Sequence, residues 1–162
     1  MKILSLLGVL ERVELEMAAL YEWLSRLFEH DAEASGLFFR MAMQERSHAT
    51  LLRFGKSLVH QAPGQFADVE FDAAAIDGLL VAIRTARHER PAPSLEEAVS
   101  RALQFEDGPV EAAHRSILTN SNPGVTDLVR RLAAADEEHA AGLRAFARRR
   151  GLVIAPGAVV DG

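Results

Sequence analysis

Apolar residues recur at steps of three and four along four long stretches of the chain, as they do in helices that bury one face. This periodicity predicts helices over about residues 2–29, 32–60, 95–118 and 123–150. The predicted buried positions are Leu7, Leu10, Glu14, Met17, Tyr21, Leu24 and Phe28; Phe38, Met41, Glu45, His48 and Leu52; Val99, Leu103, Glu106, Val110, Ala113 and Ile117; and Val129, Leu132, Asp136, His139, Leu143 and Phe146. The fold class predicted from this pattern is all-α.

Six acidic or histidine residues interrupt these otherwise apolar faces. They are Glu14 on the first helix, Glu45 and His48 on the second, Glu106 on the third, and Asp136 and His139 on the fourth. The halves of the chain repeat one pattern, because an acid on one helix is followed by an acid-x-x-His pair on the next, 31 residues later in the first half and 30 in the second. A buried carboxylate is costly unless it is paired or binds a metal. The repeated pattern therefore indicates a shared polar site in the core.

Other acids of the first helix, namely Glu11, Glu16, Glu22 and Glu29, lie off the buried line, and we expect them to be solvated. Turn and capping residues define the boundaries between helices. Asp31 is expected to cap the second helix, and Ser94 with Glu97 forms a capping box before the third. The connector over about residues 61–93 contains a short amphipathic helix at 76–83. We therefore predict one domain over residues 1–150 with a long crossover, followed by an apolar tail at 151–162 that packs on this domain or on a neighbouring molecule.

Composition and charge exclude several classes of function. The 162 residues contain no cysteine, which excludes disulfides, iron–sulfur clusters and thiol catalysis. The net charge of −5 makes nucleic acid and anionic membranes poor partners. No apolar run approaches the roughly 20 residues of a membrane span. The apolar N-terminus runs into charged residues without a cleavage site, so we interpret it as the first helix turns and predict a cytoplasmic protein.

The charge of the six polar core positions favours metal ions. Four carboxylates carry about four negative charges, which two divalent cations would balance, and no lysine or arginine occupies a predicted buried position. Oxygen and nitrogen ligands without sulfur suit iron, manganese or zinc. Bridging carboxylates would hold the two ions about 3.5–4 Å apart. Without metal, we expect burial and mutual repulsion to raise the pKa values of these carboxylates.

The ligand pattern resembles that of the ferritin-like di-iron carboxylate superfamily, in which two helices each supply a glutamate and two supply Glu-x-x-His. The segment from Gln44 to Ala49 is most similar to rubrerythrin, and Tyr21 matches a tyrosine that this family places beside the metals. The resemblance implies a four-helix bundle with a long crossover between its second and third helices. It also implies two iron ions, or manganese or zinc in their place, held by Glu14, Glu45, His48, Glu106, Asp136 and His139, with Glu45 and Asp136 as bridges.

The function that this resemblance implies is redox chemistry of peroxide or O₂ at a dinuclear site, with Tyr21 as a hydrogen-bonding tyrosine. A small oxidant, an external electron donor and a second copy of the chain in a homodimer are the implied partners. The chain departs from the rubrerythrin pattern at Asp136, which replaces a glutamate, at Ala113, which replaces a tyrosine, and at Pro109, which replaces a further glutamate. Three alternatives therefore stay open: a ferroxidase or iron-handling protein, a di-iron hydroxylase, and an interaction module that a metal stabilises.

Overall fold

The computed structural model describes residues 2–66, 72–108 and 123–154, except for the side chains of residues 2, 123–126, 129, 133, 135 and 136. The described residues form helices α1 (Lys2–Leu27), α2 (Ala32–Gln61), α3 (Ala73–Ala86), α4 (Leu95–Glu106) and α5 (Pro123–Arg150), with a 3₁₀ turn at Pro63–Gln65. No strand occurs in these three ranges. The predicted all-α class is therefore confirmed.

The predicted capping residues define the helix boundaries. The side chain of Asp31 accepts a hydrogen bond of 3.1 Å from the Ala34 amide at the start of α2. Ser94 and Glu97 form the predicted capping box at the start of α4. Gly151 follows the last residue of α5 with a φ of +63°, a conformation that glycine adopts without strain. Each cap satisfies backbone groups that a helix end leaves without partners.

The third predicted helix differs from the structure at its C-terminal end. α4 ends at Glu106, and Asp107 and Gly108 are not helical. Proline lacks an amide N–H and disfavours helical conformation in the residue before it, which accounts for a break ahead of Pro109. Residues 109–122, and with them the predicted positions Val110, Ala113 and Ile117, lie outside the described residues. The short helix of the connector is longer than predicted, since α3 covers Ala73–Ala86 rather than 76–83.

Helices α1 and α2 pack against each other in antiparallel fashion. Ser35 near the start of α2 donates a hydrogen bond of 2.9 Å to the backbone oxygen of Ser25 near the end of α1. At the opposite end of the pair, Arg53 lies 2.9 Å from Glu11. The contact nearer the end of α1 is at the start of α2, and the contact nearer the start of α1 is toward the end of α2. The two helices therefore run in opposite directions. The short turn between Leu27 and Ala32 permits this arrangement.

Helix α5 packs antiparallel to both α2 and α4. Its C-terminal Arg149 forms an ion pair of 2.8 Å with Glu33 at the start of α2. Its N-terminal half approaches the other end of α2, where a methyl group at Gly55 would stand 2.5 Å from the side chain of Leu128. Arg144 pairs with Asp107 at the end of α4, whereas the Val153 amide, just beyond α5, donates a hydrogen bond to Glu96 near the start of α4. These contacts place α5 between α2 and α4.

Helix α3 packs on α1 through an ion-pair cluster. Glu16 of α1 accepts hydrogen bonds of 2.8 Å from Arg84 and 2.6 Å from Arg87.

Glu11, expected to be solvated, is only 9% exposed and pairs with Arg53 and Lys56 of α2. The expectation for Glu11 was wrong because the periodicity of one helix does not reveal the cations of its neighbour. Those cations outweigh the effect of burial and lower the pKa of Glu11.

The core contains buried residues of all five helices, and among them are most of the predicted apolar positions whose side chains the structure describes. Fully buried members include Leu7, Leu10, Tyr21, Phe38, Leu52, Val99, Leu132, Leu143 and Phe146. From the tail, Leu152 and Ile154 pack against this core, and residues 155–162 lie outside the described ranges. Within the part of the chain that the structure describes, no helix is long and apolar enough to cross a membrane.

Candidate metal centre

Five of the six predicted polar core residues are buried at one level of the helix assembly. Each of the four packed helices supplies one or two of them, and their exposures are Glu14 3%, Glu45 2%, His48 7%, Glu106 8% and His139 3%. Asp136 lies in α5 one turn before His139, but its side chain is outside the described part of the structure. The prediction that these five side chains share the core is therefore confirmed, whereas the position of the Asp136 carboxylate stays a prediction.

The first group of ligand-type side chains consists of Glu14, Glu45 and His48. His48 Nδ1 lies 3.0 Å from Glu45 Oε2 and 3.7 Å from Glu14 Oε2. One ligand atom from each of these three residues lies within 4.8 Å of the others. The i, i+3 spacing on α2 places the Glu45 carboxylate and the His48 ring on one face, as the sequence predicted.

The second group consists of Glu45, Glu106 and His139. His139 Nδ1 lies 3.0 Å from Glu45 Oε1 and 3.5 Å from Glu106 Oε2. These three residues also offer one ligand atom each within 4.8 Å of the others. Glu45 belongs to both groups, and its two oxygens point to different histidines. The two imidazole rings stack on each other, with centroids 5.4 Å apart and planes inclined by 27°.

Tyr21 contacts this site directly. Its hydroxyl donates a short hydrogen bond to Glu106 Oε1, which leaves Oε2 of the same carboxylate directed toward His139. The Tyr21 ring is fully buried and stacks on Phe38 at a centroid distance of 6.1 Å. A buried phenol held by ring packing at one end and a carboxylate at the other has little freedom to move. Tyr21 therefore orients Glu106.

The carboxylates around the two histidines change their protonation. Burial lowers the pKa of His48, but the Glu14 and Glu45 carboxylates beside its ring outweigh burial and raise it to about 10. Burial likewise opposes the charged form of His139, but Glu106 and Glu45 raise its pKa to about 10. Both rings are therefore protonated at neutral pH unless another cation replaces the proton.

The prediction of raised carboxylate pKa values is right for Glu106 and wrong for Glu45. Burial and the nearby charge of Glu45 raise the pKa of Glu106 to about 7, against the opposing effects of His139 and Tyr21. Burial also acts to raise the pKa of Glu45, but the cationic rings of His139 and His48 outweigh it and lower the pKa to about 2. The difference arises because Glu45 lies between two imidazolium groups.

A small cavity adjoins the carboxylates. It has a volume of about 20 Å³ and is bordered by Glu14, Glu45 and Glu106. Apolar side chains of three helices complete its wall, namely Val13, Met17, Leu79 and Phe105. Leu79 belongs to α3, so the connector helix covers the site from one side. Sequence periodicity placed Met17 on the buried face but did not reveal Val13, Leu79 or Phe105 as neighbours of the carboxylates.

The donor atoms fit one or two metal ions. All five residues offer oxygen or nitrogen, which iron, manganese and zinc accept. Both ring nitrogens of His139 are buried and make no hydrogen bond within the described part of the chain, although Nδ1 is close to two carboxylates. Buried polar atoms without a hydrogen-bond partner are rare, and an ion between the ring and the carboxylates would satisfy Nδ1. Two ligand atoms bound to the same ion lie at most about 4.2 Å apart. The ligand atoms within each group lie within 4.8 Å of one another, so each group would need to contract only slightly to bind an ion.

Comparison with known proteins identifies no relative of this chain. No family model matches it, and neither a curated protein nor a solved structure does so. The geometry of the site is consequently the basis of the functional argument.

Proposed function

We propose that α1, α2, α4 and α5 form a ferritin-like four-helix bundle in which the segment between α2 and α4 is a crossover. Contacts at two levels of each helix pair support this arrangement: α1 is antiparallel to α2, and α5 is antiparallel to both α2 and α4. By this reasoning α2 and α4 run in the same direction, so the chain must return along the length of the bundle between them. A long crossover does so, and α3 lies within it.

The bundle holds a dinuclear metal centre in this proposal. Glu14, Glu45 and His48 would hold one ion, and Glu45, Glu106 and His139 the other. The observation that carries the proposal is the position of Glu45, whose two oxygens each lie 3.0 Å from a different histidine. Asp136 is the predicted second bridge. Two iron ions are the proposed occupants, with manganese or zinc as substitutes.

The proposed activity is rubrerythrin-like oxidoreduction, in which a peroxide or O₂ is reduced with electrons from an external donor. A pair of iron ions would supply the electrons that such an oxidant takes up. The chain's own residues would position the ligands and limit the access of water. Tyr21 holds Glu106 by a hydrogen bond, and the apolar wall of Val13, Met17 and Leu79 limits access of water to the carboxylates. Low access of water also strengthens the attraction between these carboxylates and any cation beside them.

The size of the cavity favours a small oxidant over an organic substrate. On the same measure of volume, about 10–15 Å³ holds one water molecule. The cavity of about 20 Å³ beside the carboxylates therefore accommodates hydrogen peroxide or O₂ but not an organic molecule. A hydroxylase would need a larger pocket at this position, so we place the oxidant-reducing function ahead of the hydroxylase.

A homodimer is the proposed assembly. Phe39, Met43 and Phe54 are exposed by 54%, 39% and 60% and follow one another along one side of α2. An exposed apolar stripe of this kind is typical of a contact surface.

The reaction itself is tested by the choice of oxidant. We expect the Fe(II)-loaded protein to be oxidised faster by hydrogen peroxide than by O₂ at equal concentration, as the resemblance to rubrerythrin implies. Stopped-flow absorbance in the near ultraviolet measures both rates. Faster oxidation by O₂ would contradict the peroxidase proposal and favour a ferroxidase. Metal uptake without reaction toward either oxidant would favour a structural role for the metal.

A further inference from the structure

Two cavities of very different size meet at one side chain. Besides the cavity of about 20 Å³ at the carboxylates, the structure contains a cleft of about 470 Å³ between α3 and α4. Ala82 and Thr85 line the cleft from α3, and Arg101 and Gln104 line it from α4. Phe105 borders both spaces and is half-buried. Phe105 is the residue that the linings of these two spaces share.

We propose that Phe105 is the gate through which the oxidant reaches the dinuclear centre, and that it restricts access to molecules of about two heavy atoms. This inference rests on the proposed function, since it assigns the route and the size limit for the same site. The cleft is large enough for an organic hydroperoxide, whereas the inner cavity holds a volume of about one or two water molecules. Discrimination between hydrogen peroxide and bulkier peroxides then occurs at the Phe105 ring.

The position of Phe105 in the chain supports this role. It directly precedes Glu106, which lies near the end of α4, and the helix is interrupted at Asp107 and Gly108. Helix ends open at lower free energy than helix centres, so small displacements of the ring are permitted there. On the opposite wall Leu79 belongs to the connector helix.

A second depression provides the competing route. It has a volume of about 170 Å³, lies between α2 and α5, and is lined by Gln44, Glu138, His139 and Gly142 among others. It reaches His139 but none of the three carboxylates that border the small cavity. A methyl group added at Gly142 would meet no atom within 4 Å, so a larger side chain can fill this depression without strain.

The absence of cysteine makes a direct test of access practicable without metal. A Val13→Cys substitution introduces the chain's only thiol into the wall of the small cavity, at a position that is 2% exposed. Its reaction rate is measured with methyl methanethiosulfonate, which is small, and with dithiobis(nitrobenzoate), which is larger than the cavity. We expect Phe105→Ala in this background to raise the rate of the bulky reagent by about tenfold or more, and that of the small reagent by less.

Control variants separate gating from general loosening of the fold. Phe105→Trp should slow the small reagent. Phe66→Ala, which also truncates a half-buried phenylalanine but one that borders neither space, should change neither rate. Gly142→Leu should also leave both rates unchanged. An unchanged rate of the bulky reagent in Phe105→Ala, or equal acceleration in Phe66→Ala or Phe105→Trp, would overturn the gate. Slowing by Gly142→Leu would assign the route to the α2–α5 depression instead.

A measurement on the iron-loaded protein completes the test. Wild-type protein should react much faster with hydrogen peroxide than with tert-butyl hydroperoxide. Phe105→Ala should reduce the ratio of these two rates by about tenfold. An unchanged ratio would overturn the size limit assigned to Phe105. Because the thiol reactions require no metal, failure of the gate and failure of the proposed metal function are distinguishable: the first appears in the thiol rates, the second in the metal content.

Discussion

The Glu45→Gln variant is expected to retain less than one metal ion per chain under conditions in which the wild-type protein retains two. Glu45 is common to both groups of ligand-type residues, and it is the only one of the five described site residues with this position. Glutamine has nearly the same shape but is neutral, and its amide nitrogen is a poor ligand. Loss of a shared ligand should lower the metal affinity of both sites by at least about a hundredfold. This is a larger loss than the one expected when a residue that only hydrogen-bonds to a ligand is removed.

Two further carboxylate-to-amide variants make this result specific. Glu14→Gln changes a residue of one group only, so the protein should lose one ion and retain the other. Glu22→Gln is the matched control, because Glu22 also lies on α1 but pairs with Arg46 at the surface, and this variant should retain both ions. Metal content after gel filtration provides the measurement. Retention of two ions by Glu45→Gln would show that Glu45 is not a shared ligand.

A second large effect is expected in the pH dependence of metal binding. The pKa values of His48 and His139 are raised to about 10, and the pKa of Glu106 is raised to about 7. Metal ions must displace these protons, so binding should release about three protons per pair of ions below pH 7 and about two above it. The apparent affinity for the pair should therefore rise by about two to three orders of magnitude per pH unit between pH 6 and 8.

The stability of the metal-free protein should follow the same groups. The raised pKa values of the two histidines contribute stability that is fully present below the unfolded value of 6.5 and is lost as pH rises through about 10. The raised pKa of Glu106 contributes stability that is lost as pH rises through about 7. The lowered pKa of Glu45 has the opposite effect, and its contribution is lost as pH falls through about 2. These four groups should therefore make the metal-free protein most stable near pH 4–5, and the stabilisation by metal should increase toward pH 8.

Proton release and unfolding measurements test this pair of expectations. A pH indicator in weak buffer records protons released when Zn²⁺ is added, and denaturant titrations at several pH values record the free energy of unfolding. His60→Gln is the control, because His60 is exposed near the end of α2 and its loss should not change the release. Metal binding with no proton release, or an affinity independent of pH, would contradict the assignment of His48 and His139 as ligands.

The position of the polar core residues could be predicted because helix periodicity is a local property. Three- and four-residue steps placed Glu14, Glu45, His48, Glu106 and His139 on apolar faces, and all five are buried. The capping residues defined helix starts for the same reason, since Asp31 and Ser94 act on amides only three positions away.

Features that depend on contacts between helices could not be predicted. The periodicity of α1 indicates nothing about Arg53 and Lys56, which neutralise Glu11 from α2. The docking of α3 on Glu16 places Leu79 over the carboxylates, and this depends on the path of the connector rather than on its helical pattern. The low pKa of Glu45 follows from its position between two histidine rings, which only the assembled site defines.

The most direct test of the dinuclear centre is the metal content of the wild-type protein. Protein loaded anaerobically with excess Fe(II) and then freed of unbound iron should contain about two ions per chain by elemental analysis, one for each group of ligand-type residues. One ion or fewer per chain at saturation would contradict the account, because Glu45 would then not join two metal sites.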